Sequence, residues 1–183
     1  MLCYHCSPTH GIKTLQPRTP LFSDKPQRVY LTTLLPMALL YGIQNFEYTY
    51  GYTREKQIYY EEYFPNSLEY LYSGKSASLY LCEVSDGEPT RIPNEIVVSH
   101  EVPVVQEILI PDVYQALLEQ ESLGALPIYR YDTLSPERRA ANRKMEIRVI
   151  LESKLLEEDS PYAVYMQTHY PESWAEAKLQ RSK

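Results

Sequence analysis

Pro93-Asn94-Glu95-Ile96-Val97-Val98-Ser99-His100-Glu101 reads as a strand whose first residue is a carboxylate. Ile96, Val97 and Val98 form a short β-branched apolar run, and Pro93-Asn94 upstream is turn chemistry, so a buried strand is expected here. Glu95 stands at its mouth. Burying a carboxylate costs on the order of several kcal/mol unless it is paired or hydrogen-bonded. Glu95 is therefore either a solvated strand end or a carboxylate held by partners.

Outward from that stretch, 102–110 (Val-Pro-Val-Val-Gln-Glu-Ile-Leu-Ile) reads as the next strand, closed by Pro111. Asp112 then caps a helix over 113–121, with Gly124 just past its end. Upstream, 78–84 alternates as a strand does, and 85–89 is a turn. Leu2-Cys3-Tyr4-His5-Cys6 reads as a first strand, 9–15 as one or two helical turns, and 18–27, with Pro20 and Pro26, as a loop. Val29-Tyr30-Leu31-Thr32-Thr33 is a strand by residue type, leading into a helix over 34–43 with Pro36 in its first turn and Thr33 as N-cap. The tyrosine-rich stretch 46–63 reads as a helix that frays near Gly51. Residues 127–131 suit an edge strand. Ser135-Pro136 opens a charged helix to about 158, and 160–183 reads as an irregular segment with a short terminal helix. The expected class is α+β in one domain, 1–183, with a core over about 1–134 and a helical extension over about 135–183.

Net charge is −6 and the pI near 5.3, which disfavours duplex nucleic acid and anionic membrane surfaces as partners. Cys3, Cys6 and Cys82 are an odd set that argues against a disulfide framework and for a cytoplasmic location. Cys3-x-x-Cys6 has no second pair, and His5 and His10 do not complete a zinc set, so no metal is expected. The longest apolar stretch, 34–42, is far short of the roughly 20 residues that span a bilayer, and no secretory leader is read, so a soluble chain is expected. Eighteen tyrosines against three phenylalanines and one tryptophan suit a cleft that stacks on flat ligands while keeping hydroxyls available.

The order of these features resembles the ADP-ribosyltransferase fold, in the His-Tyr-Glu branch that includes the poly(ADP-ribose) polymerases. Tyr4-His5-Cys6-Ser7 is similar to the family's His-Gly-Ser/Thr motif. Val29-Tyr30-Leu31-Thr32 with Ala38-Leu39-Leu40-Tyr41 resembles the second motif, whose two tyrosines eleven positions apart sandwich the nicotinamide ring; Tyr30 and Tyr41 keep that spacing. Asn94-Glu95-Ile96-Val97-Val98 is similar to the third, Asn-Glu-x-Ile-Val. The likeness spans roughly 2–110.

The resemblance implies split β-sheets around an NAD-binding cleft, NAD as co-substrate, and transfer of ADP-ribose to an acceptor with release of nicotinamide. The acceptor would most often be a protein. Glu95 would be the catalytic carboxylate. Tyr30 and Tyr41 would bind the nicotinamide ring, His5 would donate to the adenosine ribose, and Cys6 and Ser7 would hold the first-motif contacts. Such a carboxylate suits the chemistry, because cleaving the nicotinamide–ribose bond builds positive charge on the ribose. Three departures stand out: Cys6 replaces the family's Gly, a second Gly before the Tyr strand gives way to Arg28 or Val29, and the carboxamide-bonding Ser falls at Ala38, for which Thr32 or Thr33 would have to compensate. A Gly using positive φ at position 6 would leave Cys6 strained.

Two other functions stay open. A cleft that binds NAD or ADP-ribose without turnover, or an interaction domain on the same scaffold, fits the departures. An RNA 2′-phosphotransferase-like enzyme is faintly suggested by Arg28-Val29-Tyr30-Leu31-Thr32. The segment 46–72 would shape the choice of acceptor.

Overall fold

A computed structural model describes residues 1–19 and 26–182, so the loop read over 20–25 lies outside the described residues. The chain divides into two compact units, Met1–Tyr60 with Leu68–Pro127, and Glu61–Ser67 with Ile128–Lys183. The second unit thus takes in a short internal segment and begins before position 135, where the charged helix suggested a boundary.

The first unit is built on strands β1 (Leu2–Ser7), β2 (Thr14–Leu15) and β3 (Val29–Thr32), helix α1 (Leu35–Leu40), strands β4 (Tyr50–Tyr52) and β5 (Ile58–Glu61), and helix α2 (Ser67–Tyr72). It continues with β6 (Ala77–Glu83), β7 (Glu88–Pro89), β8 (Glu95–Val98), β9 (Val102–Pro103), β10 (Gln106–Ile110) and helix α3 (Val113–Ser122). Six strands form one antiparallel sheet in the order β10-β6-β1-β3-β8-β7.

Strand alternation gives this sheet two distinct faces. One carries Cys3, Val29, Leu31, Tyr80, Cys82, Ile96 and Val98, which form a single buried cluster with Leu15 and Val102 from the β2–β9 pair. Deleting one of these side chains, as in Leu31→Ala, should cost ~2–5 kcal/mol. On the other face α1 packs through Met37, whose Sδ receives the Thr32 hydroxyl at 3.3 Å.

Several elements differ from the sequence reading. The stretch 46–63 contains a β-hairpin, with Tyr50↔Tyr60, Gly51↔Tyr59 and Tyr52↔Ile58 paired. Aromatic residues prefer the pleated surface, and Thr53 closes the turn by accepting the Lys56 amide on its carbonyl and the Gln57 amide on its hydroxyl. Gly51 is not a fraying point: a Cβ there would lie 2.5 Å from the Tyr59 hydroxyl, so glycine makes room for the ring across the ladder. The stretch 9–15 ends in β2 instead of a helix. The strand over 102–110 is two strands, one on each of two sheets. The N-cap of α1 is Leu34, without a side-chain cap, and Thr32 rather than Thr33 accepts the Leu34 amide. Asp112 caps α3 as its sequence position predicts, accepting from Gln115 N–H.

The second unit contains β11 (Ile128–Tyr129) and helices α4 (Pro136–Glu152), α5 (Pro161–His169) and α6 (Pro171–Arg181). Ser135 and Ser160 cap α4 and α5, each followed by proline in the first turn. The irregular segment read before the terminal helix over 160–183 is itself helical, as α5. Glu61 is buried and accepts from Arg138 Nε at 2.8 and 3.0 Å and from Asn142 Nδ2 at 2.6 Å. Among the described residues, no helix is long and apolar enough to cross a membrane.

Candidate functional site

The β3–β8 ladder pairs Thr32 with Glu95 and Tyr30 with Val97. Directly opposed residues share a face, so these four side chains leave the sheet on the side away from the buried cluster. A cavity of about 520 Å³ lies on that side, lined by Arg28, Tyr30, Thr90, Arg91, Glu95 and Val97 among others.

Glu95 is aimed by the turn before it. Ile92 O accepts Glu95 N–H at 3.2 Å. Pro93 takes the second position of that turn, and Asn94, at φ 63°, takes the left-handed third, the arrangement of a type II turn. Three elements pin the turn. Thr33 N–H donates to the Asn94 carbonyl at 3.1 Å, Tyr52 donates its hydroxyl to Pro93 O at 2.8 Å, and Thr90 N–H donates to the Glu95 carbonyl at 3.1 Å. The Thr90 hydroxyl accepts Ile92 N–H and donates to Glu95 Oε2 at 2.6 Å. Glu95 is half-buried, so it is a held carboxylate with remaining access to the cavity.

A wall of tyrosines stands beside it. Tyr41, just past the end of α1, stacks on Tyr48 at 4.7 Å and meets Tyr50 edge-on, their hydroxyls 2.9 Å apart; Tyr50 in turn meets Tyr52. Tyr41 keeps 40% of its surface exposed; partial desolvation, followed by the hydrogen bond with Tyr50 and repulsion from Tyr50 and Glu95, raises its phenol above the ordinary value. Tyr52 rises to about 12, chiefly through burial, with the Glu95 charge contributing. These phenols stay protonated over any working pH.

His5 is placed differently. It pairs across β1–β6 with Tyr80, a member of the buried cluster, so alternation puts it on the face opposite Tyr30 and Glu95. Its Nδ1 lies 3.0 Å from the Tyr30 carbonyl. A carbonyl only accepts, so Nδ1 carries the proton. Burial lowers the His5 pKa, opposed by this hydrogen bond and reinforced by Arg18, and the neutral ring leaves Nε2 as an acceptor. His5 thus presents an acceptor at Nε2, where the sequence reading expected a donor.

The pairing of β1 with β3 is confined to Tyr4↔Thr32, whereas β1 pairs with β6 along its whole length. Beyond Tyr4 the β1–β3 ladder is open beside His5, Cys6 and Ser7. Cys6 is buried with an ordinary negative φ, so the strain expected from replacing Gly is absent. Its sulfur takes up space released elsewhere: a Cβ on Gly42 would lie 2.6 Å from Cys6 Sγ. Burial raises the Cys6 thiol to about 12, which rules it out as a nucleophile at neutral pH. Ser7 accepts Thr9 N–H on its hydroxyl. Cys3 and Cys6 leave opposite faces of β1 and cannot share one ion; among the described residues no group of three His, Cys, Asp or Glu is placed to hold a metal.

Ala38 is buried in α1. The Thr32 hydroxyl is spent on Leu34 N–H and Met37 Sδ, and the Thr33 hydroxyl on Asn94 Oδ1, so neither is poised to replace the missing serine. Tyr30 and Glu95 thus line one cavity and Tyr41 lies within electrostatic reach of Glu95, while His5 leaves the opposite face. Thr90, Arg91, Tyr50 and Tyr52 escaped the sequence reading. The aromatic alternation at Tyr50-Gly51-Tyr52 was the available signal for the hairpin, and nothing in sequence linked Thr90 to Glu95.

Comparison of the chain with protein-family models, with curated proteins and with solved structures finds no match.

Proposed function

We propose that the first unit is an NAD-dependent ADP-ribosyltransferase that uses the Tyr30–Glu95 groove. The observation that carries this reading is a half-buried carboxylate, fixed by Thr90, lining the same cavity as Tyr30 and standing beside a tyrosine wall. Nicotinamide would lie against Tyr30 and Tyr41. As the C–N bond to ribose breaks, its electron pair leaves with nicotinamide and Glu95 stabilises the cationic sugar, an interaction stronger in the transition state than in the ground state. An acceptor oxygen then bonds the same carbon, and its proton passes to Glu95 or to water. His5 Nε2, open as an acceptor, would take a ribose hydroxyl hydrogen through the gap in the β1–β3 ladder.

The test is nicotinamide release in a single turnover, with water as acceptor. Glu95→Gln should slow release by about 10²–10³-fold, the range seen when one transition-state partner is removed. Equal rates, or no release by the wild type, count against the reading.

A second reading, binding without turnover, is favoured by His5 lying on the other face and by Thr32 and Thr33 being occupied. Calorimetry separates the two: a reader binds ADP-ribose as tightly as NAD or tighter and releases no nicotinamide.

A further inference from the structure

The cavity beside Glu95 holds two guanidinium groups, those of Arg28 and Arg91. Arg28 is half-buried, and its only side-chain hydrogen bond among the described residues is from Nη1 to the carbonyl of Gln27. Neither arginine has a carboxylate within ion-pair distance among the described residues. Across a backbone bridge Arg28 faces another arginine: Arg18 and Arg28 exchange both of their amide hydrogen bonds, at 3.0 and 3.1 Å. Like charges directly opposed are unfavourable. In a chain of net charge −6, with acidic partners in excess, a concave surface whose described lining carries two arginines and one carboxylate is locally positive.

We propose that Arg28 and Arg91 form a phosphate-binding subsite in the groove beside Glu95. Planar guanidinium forks suit the oxygens of a phosphate group, and two of them match a dianionic one. Arg91 sits on the turn that leads into Glu95, so a bound phosphate would fix its ligand's distance from that carboxylate. Two sources carry this chemistry: the diphosphate of the dinucleotide, or a phosphate on the acceptor. The meaning of the subsite for catalysis rests on the transferase reading, whereas phosphate binding itself does not.

The experiment is titration of the intact protein with inorganic phosphate, followed by the side-chain Nε–H signals of arginine in NMR, on wild type, Arg28→Gln, Arg91→Gln and the double variant. The exposed position of Arg91 makes its variant a safe companion should Arg28→Gln perturb folding. The expected result is a saturable shift at Arg28 and Arg91, weakened about tenfold in each single variant and lost in the double one. No saturable shift, or one that survives the double substitution, overturns the subsite. Nicotinamide release identifies the source: a higher KM for NAD with water as acceptor in both variants assigns the subsite to the donor, and an effect seen only with a phosphorylated acceptor assigns it to the acceptor. Phosphate binding without any release of nicotinamide would keep the subsite and remove the transferase reading.

Discussion

Thr90 does more for Glu95 than its place in the sequence suggests. Its hydroxyl is both acceptor and donor, tying the Ile92 amide to Glu95 Oε2, so it restricts the carboxylate to one rotamer facing the cavity. Thr90→Val keeps shape and removes the bond. Turnover should fall about tenfold with little change in KM for NAD, and Thr90→Ser should restore most of it; a substitution that acted only through stability would not split kcat from KM in this way. His5 makes a different prediction. Its pKa is lowered in the folded protein, so below pH ~6.5 the unfolded chain takes up a proton that the native one refuses. The His5 contribution to stability is complete above that pH and is lost as pH falls toward the folded pKa. Urea denaturation between pH 7 and 5 should show a shallower loss for His5→Gln than for the wild type.

The elements show which parts of the fold can be read from sequence. The β8 strand, its turn and the α3 cap were legible because each rests on local chemistry: a β-branched run, Pro93-Asn94, and Asp112 three residues before the amide it caps. The 46–63 hairpin was not, because tyrosines at mixed spacings satisfy helix and strand patterns alike and only the pairing with Ile58–Glu61 decides. Proline misled at 102–110 and at 161, where it divides or starts an element according to tertiary partners. At the site, motif order singled out Tyr30, Tyr41 and Glu95, of which Tyr30 and Glu95 line one cavity. The face on which His5 falls was not, since it depends on the register Tyr4↔Thr32 and a ladder that stops there. The Cys6–Gly42 contact joins β1 to the end of α1 and is also invisible locally. Gly42→Ala should destabilise by about 1–3 kcal/mol through overpacking, and adding Cys6→Gly should recover most of that loss; additive effects in the double-mutant cycle would show that the two positions do not share space.

Across the whole molecule, the proposed chemistry belongs to the first unit and the second has its own polar interior. Glu61 is buried while Arg138 is about half exposed, at 4% and 48% side-chain accessibility, so the pair is only partly screened. Arg138→Met strands the carboxylate with Asn142 and should cost about 1–2 kcal/mol. Trp174, the single tryptophan, is buried in this unit, and its fluorescence during denaturation reads the loss there directly. The most direct measurement of the central claim is intermolecular NOE contact between the nicotinamide ring protons of NAD and the protein, recorded on Glu95→Gln to slow cleavage. The account predicts contacts to the rings of Tyr30 and Tyr41. Contacts confined to other residues, or none at saturating NAD, would contradict it.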